Sequence, residues 1–137
     1  MKREIKFRAW DKKNECYLYD IQRAYDMLSG YVKYDDGEDA VYDEECFAGF
    51  LDNEQYIIEQ YTGLQDKNGR SIYEGDIVDA GIEDQDGNPL FARVCYEKYA
   101  AGYVINSEAN GIWQRLTEDC EVIGNIFENK QLLGGKQ

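Results

Sequence analysis

Apolar and polar residues alternate along much of this chain with the period of two that marks half-buried strands. Ile5, Phe7 and Ala9 alternate with Lys6 and Arg8, so residues 4–10 read as a strand with one wet face. A polar loop follows at 11–14. Residues 16–21 alternate less cleanly, because Tyr17 and Tyr19 oppose Cys16 and Leu18; this predicts a hairpin with both faces partly covered. Residues 22–34 stay open between two states. Tyr25, Leu28 and Val32 have helical spacing, Ser29 and Gly30 interrupt it, and 31–34 equally suit a short strand. After an acidic loop at 35–39, Asp43, Glu44 and Glu45 precede the apolar run 46–51, which predicts a short helix with carboxylates at its positive end. Residues 55–61 return to strand.

Residues 61–80 constrain the local geometry most. The turn at 66–69 ends in Asn68-Gly69, a pair that tolerates positive φ, and brings Gln65 and Arg70 together as chain ends. A second turn, 73–76, is built around Gly75. Val78, Ala80 and Ile82 then alternate with Asp79 and Gly81 as a strand. Further on, 84–89 is a hairpin loop, and Leu90, Ala92, Val94 and Tyr96 share one face. Residues 103–105 continue the sheet, Asn110-Gly111 lets 103–106 pair with 112–116, and 121–127 is the final strand. Short loops between alternating strands suit a small barrel. The chain reads as one domain, 1–137. A soft boundary near Asn53 separates a hairpin-plus-helix part, 1–53, from a barrel part, 54–130, with a fraying tail at 131–137.

The stretch YTGLQDKNGRSIYEGDIV (61–78) resembles the signature of the YopX-like proteins of bacteriophages and prophages. REIKFRAWDKKN (3–14) and EVIGNIFEN (121–129) fit the same family, and the three in this order are jointly specific. Residues 21–53 carry no family pattern. The resemblance implies a phage or prophage origin and a mainly β fold with minor α, similar to an SH3-type barrel, here with an N-terminal hairpin and a short helix. It implies no activity.

Composition narrows the picture further. A length of 137 residues allows one domain with a real core, burying roughly two thirds of its unfolded surface. Twelve Tyr and 14% aromatics argue against disorder despite 31% charged residues. No apolar run approaches the length of a membrane span, and the N-terminus MKREIKFRAW has no apolar signal core. The expected location is therefore the cytoplasm, for a phage protein that of the host.

The formal net charge of −13 is unevenly laid out. Residues 1–13 hold six basic and two acidic residues, whereas 34–66 hold eleven acidic residues and no basic one. Three readings compete. In order of preference they are a solvated acidic face, an acidic patch for a basic partner or a neighbouring subunit's N-terminal strand, and mimicry of nucleic-acid phosphates. Direct nucleic-acid binding needs clustered Lys and Arg, and the cluster Lys2, Arg3, Lys6, Arg8, Lys12 and Lys13 is outweighed.

Chemistry-bearing residues are few. With no His, Ser-His-Asp and Cys-His arrangements and His-ligated metals are excluded. Ser29, Ser71 and Ser107 sit in no nucleophile-elbow pattern, and Gly63 and Gly69 open no phosphate-binding loop. Loops starting at Asp84 and Asp66 miss the spacing of a calcium-binding EF-hand. Cys16, Cys46, Cys95 and Cys120 match no zinc spacing and read as core or semi-buried residues in a reducing compartment. Glu74 paired with Asp76 or with Asp79 could do acid–base work, but Asp76 reads better as an acceptor of backbone hydrogen bonds in its turn. Trp10, Trp113, Tyr61, Tyr73 and Tyr103 read first as packing residues and second as the lining of a peptide groove. Tyr56, Ile57 and Ile58 form an apolar strand that would invite subunit pairing if it lay at an edge.

The expected function is that of a phage or prophage accessory protein: a non-enzymatic protein-interaction module with a protein partner and a tendency to self-associate. The alternatives are a carboxylate-dependent hydrolase or lyase and an acidic nucleic-acid mimic aimed at a host protein. No catalytic, cofactor or metal residue is assigned, and no binding residue is fixed.

Overall fold

The computed structural model describes residues 4–24 and 31–133. The helical spacing at Tyr25 and Leu28, the break at Ser29 and Gly30, the basic Lys2 and Arg3, and the tail 134–137 lie outside the described residues. Among the described residues the fold is mainly β with one short α-helix. The chain divides into two compact units, Met1–Tyr61 and Thr62–Gln137.

In the first unit, strands β1 (Phe7–Asp11) and β2 (Cys16–Tyr19) form the expected hairpin, with Ala9 opposite Leu18 and Asp11 opposite Cys16. Asp11 is therefore the last residue of a strand and not part of the loop. Strand β3 (Tyr56–Gln65) lies on the other side of β1, pairing Trp10 with Ile57 and Ala9 with Ile58. Helix α1 (Phe47–Asp52) forms where the apolar run predicted it. No acidic residue occupies its first turn, however; the Glu44 carboxylate instead accepts a hydrogen bond from Asn53 Nδ2 just past its C-terminal end. Ile21–Arg23 is a single 3-10 turn, and Lys33 makes isolated bridges to Tyr19 and Asp39, so the described residues 31–34 form no regular strand. Ala9, Leu18, Ile21, Val32, Phe50 and Tyr56 make the core of this unit. Each of the large side chains contributes roughly 1.5–3 kcal/mol by leaving water.

In the second unit, the end of β3 neighbours β4 (Ser71–Tyr73). A five-stranded sheet follows: β5 (Asp76–Glu83), β6 (Pro89–Glu97), β7 (Gly102–Ser107), β8 (Ile112–Arg115) and β9 (Glu121–Asn125). Its order, β8-β7-β6-β5-β9, is a meander whose first strand also takes up the last one, a curled half-barrel of SH3 type. Val78, Ala92, Val94, Ile105, Ile112 and Leu116 fill its concave face, with Ala80, Ile82 and Leu90 packed at the margin. Tyr96 has the inward phase of Leu90, Ala92 and Val94 but is 55% exposed, because it lies near the end of β6 beyond the core. β9 stops two residues before the expected Phe127. The Asn125 side chain ends it by accepting hydrogen bonds from the backbone N–H groups of Phe127 (3.0 Å) and Glu128 (2.8 Å).

Two hairpins share one turn chemistry. At 66–70, Gly69 N–H donates to Asp66 O at 2.9 Å and Asp66 N–H to Arg70 O at 2.8 Å, so the closing pair is Asp66 and Arg70 rather than Gln65 and Arg70. At 84–88, Gly87 N–H donates to Asp84 O at 3.1 Å and Asp84 N–H to Asn88 O at 2.9 Å. Gly69 and Gly87 both have φ of 83°, the left-handed position such loops demand.

Candidate functional site

The buried carboxylates come first, since an acid–base reading would need them. Asp66 accepts from Asn68 N–H and Arg70 N–H with one oxygen, both at 2.9 Å, and from Val122 N–H of β9 with the other at 2.8 Å. Burial pushes its carboxyl up, but those three donors and nearby Arg70 outweigh it and hold the group below its ordinary value. Asp11 follows the same pattern. Burial is offset by donors from Gln55, Asn14 and Lys13, and the balance is downward. Asp76 accepts Tyr73 N–H at 2.8 Å, as its place in the turn predicts. Glu59 takes the Arg8 Nε–H and the Tyr17 hydroxyl on one oxygen, each at 2.8 Å, while the Arg8 guanidinium lies 4.1 Å from the Tyr17 ring centroid. All four carboxylates therefore organise backbone or side chains of their own chain.

The two alternative partners considered for Glu74, Asp76 and Asp79, do not share a face. Asp76 and Asp79 stand three residues apart on β5, so their side chains leave opposite faces. Asp79 accepts Gly81 N–H at 2.9 Å. The acidic run 34–66 is not one exposed row either: Glu59 and Asp66 are buried, and Glu44 is tied to Asn53. Burial, followed by the charges of Asp11, Asp43 and Glu44, pushes the Tyr56 hydroxyl up to about 12, so it stays protonated at neutral pH. All four cysteines are free thiols. Burial pushes Cys120 up to about 11 and raises Cys95, which leaves both protonated and weakly nucleophilic. Among the described residues no helix is long and apolar enough to cross a membrane.

The aromatic side chains divide by exposure. Trp10, Tyr61 and Tyr73 are buried. Trp10 meets Tyr17 edge-on at 5.1 Å, and Lys6 Nζ lies 4.5 Å from the Tyr61 ring centroid. Tyr103 packs against the second core. Trp113 alone of the five stands in water, at 55% exposure. Two tyrosines that sequence reasoning did not single out as surface groups join it in this unit. Tyr96 packs edge-on against Tyr103 at 5.5 Å, and Tyr99, at the β6–β7 turn, is 87% exposed.

Trp113 sits on β8, an end strand whose one neighbour in the sheet is β7. Trp113, Gln114 and Arg115 are all exposed. Asn106 lies opposite Trp113, and Arg93 opposite Asn106, so the three share the convex face. Val104 lies opposite Arg115 on the same face. Among the described residues neither Arg93 nor Arg115 forms an ion pair. One signal in the sequence pointed to this edge. Ile112 and Leu116 keep the buried phase, which leaves the large Trp113 in the wet phase.

The family model described as YopX protein matches residues 6–134. The crystal structure of protein EF1440 from Enterococcus faecalis is similar to this chain with a TM-score of 0.58 and 25% sequence identity, over 96% of this chain and 99% of that one. No curated protein matches the chain.

Proposed function

The chain belongs to the YopX protein family, and from this we propose that it is a phage or prophage accessory protein that acts, without catalysis, by binding another protein chain in the host cytoplasm. One observation carries the reading: β8, an end strand with no second neighbour among the described residues, presents an exposed Trp and an Arg that forms no ion pair among those residues. Trp and Arg are the residue types that most often anchor protein interfaces. An uncovered strand edge offers main-chain hydrogen bonds to an incoming segment.

What supports this over a carboxylate-dependent hydrolase or lyase is the engagement of the buried acids. Asp11, Glu59, Asp66 and Asp76 are each held by donors that shape the fold. The experiment is a matched capture from the host with the full chain and a Trp113→Ala, Arg115→Ala variant as baits. A partner held by the parent and lost by the folded variant is the expected result. Equal capture by both would refute β8 as the binding edge.

A further inference from the structure

We propose that β8 pairs with β8 of a second copy of this chain about a two-fold axis, in the register that sets Trp113 opposite the partner subunit's Arg115. The proposal deepens the interaction reading above and rests on it. Leu116 N–H donates to Tyr103 O at 3.0 Å, which makes 103 and 116 a hydrogen-bonded pair. By the alternation of an antiparallel ladder, Gln114 with Ile105 and Ile112 with Ser107 are hydrogen-bonded pairs too. Trp113 and Arg115 then belong to the intervening pairs, and their backbone N–H and C=O groups point away from β7, toward the edge that no other described strand covers.

Three antiparallel registers would let these outward groups of two copies meet. One sets Arg115 against the partner subunit's Arg115, placing like charges directly opposite. Another sets Trp113 against the partner subunit's Trp113 and runs Arg115 off the strand, onto the partner subunit's Gly111. The third centres the axis on Gln114. It pairs Trp113 with the partner subunit's Arg115 twice by symmetry and uses all the outward backbone groups of both residues. Each Arg115 then lies beside a Trp face, a favourable cation–π arrangement. A single patch serves both copies, as a two-fold interface requires.

The salt dependence follows from charge. Two chains of net charge −13 repel one another, so edge pairing strengthens as salt rises. A head-to-tail contact of the acidic run with Arg93 and Arg115 would weaken instead.

The test is sedimentation velocity of the full chain from micromolar to millimolar concentration, at low and at moderate salt. The expected result is a mass that climbs from 15.9 kDa toward its double, more readily at moderate salt. Trp113→Lys sets like charges opposite and should weaken the dimer by about tenfold or more. Trp113→Glu sets an ion pair there and should keep it. Arg115→Pro removes an outward N–H and not a bond to β7, and should abolish pairing. If that variant misfolds, the two Trp113 variants decide the matter. A parent fixed at 15.9 kDa, association weakened by salt, or equal behaviour of the Lys and Glu variants would each overturn the self-pairing. None of these outcomes touches the capture result for a foreign partner, so the two readings fail separately.

Discussion

Glu59 in the first unit and Asp66 in the second are equally buried, at 5% exposure each, and they are stabilised in opposite ways. Glu59 is met by side chains, the Arg8 guanidinium and the Tyr17 hydroxyl. Asp66 is met by three backbone N–H groups and, among the described residues, has no ion-pair partner within bonding distance. The difference shows where each unit is vulnerable. A single substitution can strip Glu59 of the Arg8 guanidinium while its carboxylate stays buried. Apart from proline, no substitution at 68, 70 or 122 removes a backbone donor from Asp66, so its contribution is lost chiefly when the carboxylate itself is changed or protonated.

The sharpest way to break the comparison is Arg8→Ala. It should cost about 3–5 kcal/mol in denaturant unfolding, because Glu59 stays buried without the Arg8 guanidinium. Arg8→Met combined with Glu59→Leu should cost distinctly less than the single change. Equal losses would mean that Arg8 acts through packing over Tyr17 and not through charge.

Asp66→Asn comes next, at about 1–3 kcal/mol, since an amide N–H must then face one of the three donors. The pH dependence sharpens the contrast. The folded carboxyl sits below its ordinary value of 3.8, so its stabilisation is present above that pH and fades as pH falls through and below it. An acid titration of stability should lose part of its slope in Asp66→Asn. Part should remain, because Asp11 is shifted in the same direction. An unchanged slope would show that Asp66 is not the group titrating.

The smallest effect is expected from Gly69→Ala. A left-handed φ of 83° on an alanine costs roughly 1–2 kcal/mol, although nothing lies within 4 Å of the added Cβ. A thermal melt matching the parent's would mean that the turn rearranges at no cost.

What sequence reading recovered follows the same division between local and distant partners. The turns at 66–70 and 84–88 were legible because donor and acceptor lie within four residues of each other. Helix α1 and the hairpins β1–β2 and β7–β8 were legible for the same reason. The Arg8–Glu59 pair joins residues 51 apart, and nothing near either residue announces the other. Strand order was equally hidden. That β9 lies beside β5, leaving β8 at the end of the sheet, depends on pairing across more than forty residues. Trp113 was therefore recognisable as a candidate contact residue before its exposure had a reason. The inward phase of Tyr96 was read correctly, but phase says nothing about how far a core extends.

The bond from Val122 N–H to Asp66 spans 56 residues and has a consequence for synthesis on the ribosome. At roughly 5–20 residues per second, Asp66 waits about 3–11 seconds for that donor to be made. The first unit's charged pair is complete in sequence once Glu59 has been added. During translation the hairpin at 66–70 therefore forms before the donor of Val122 exists, with the β9 side of β5 unoccupied, and the arrival of β9 ends that interval.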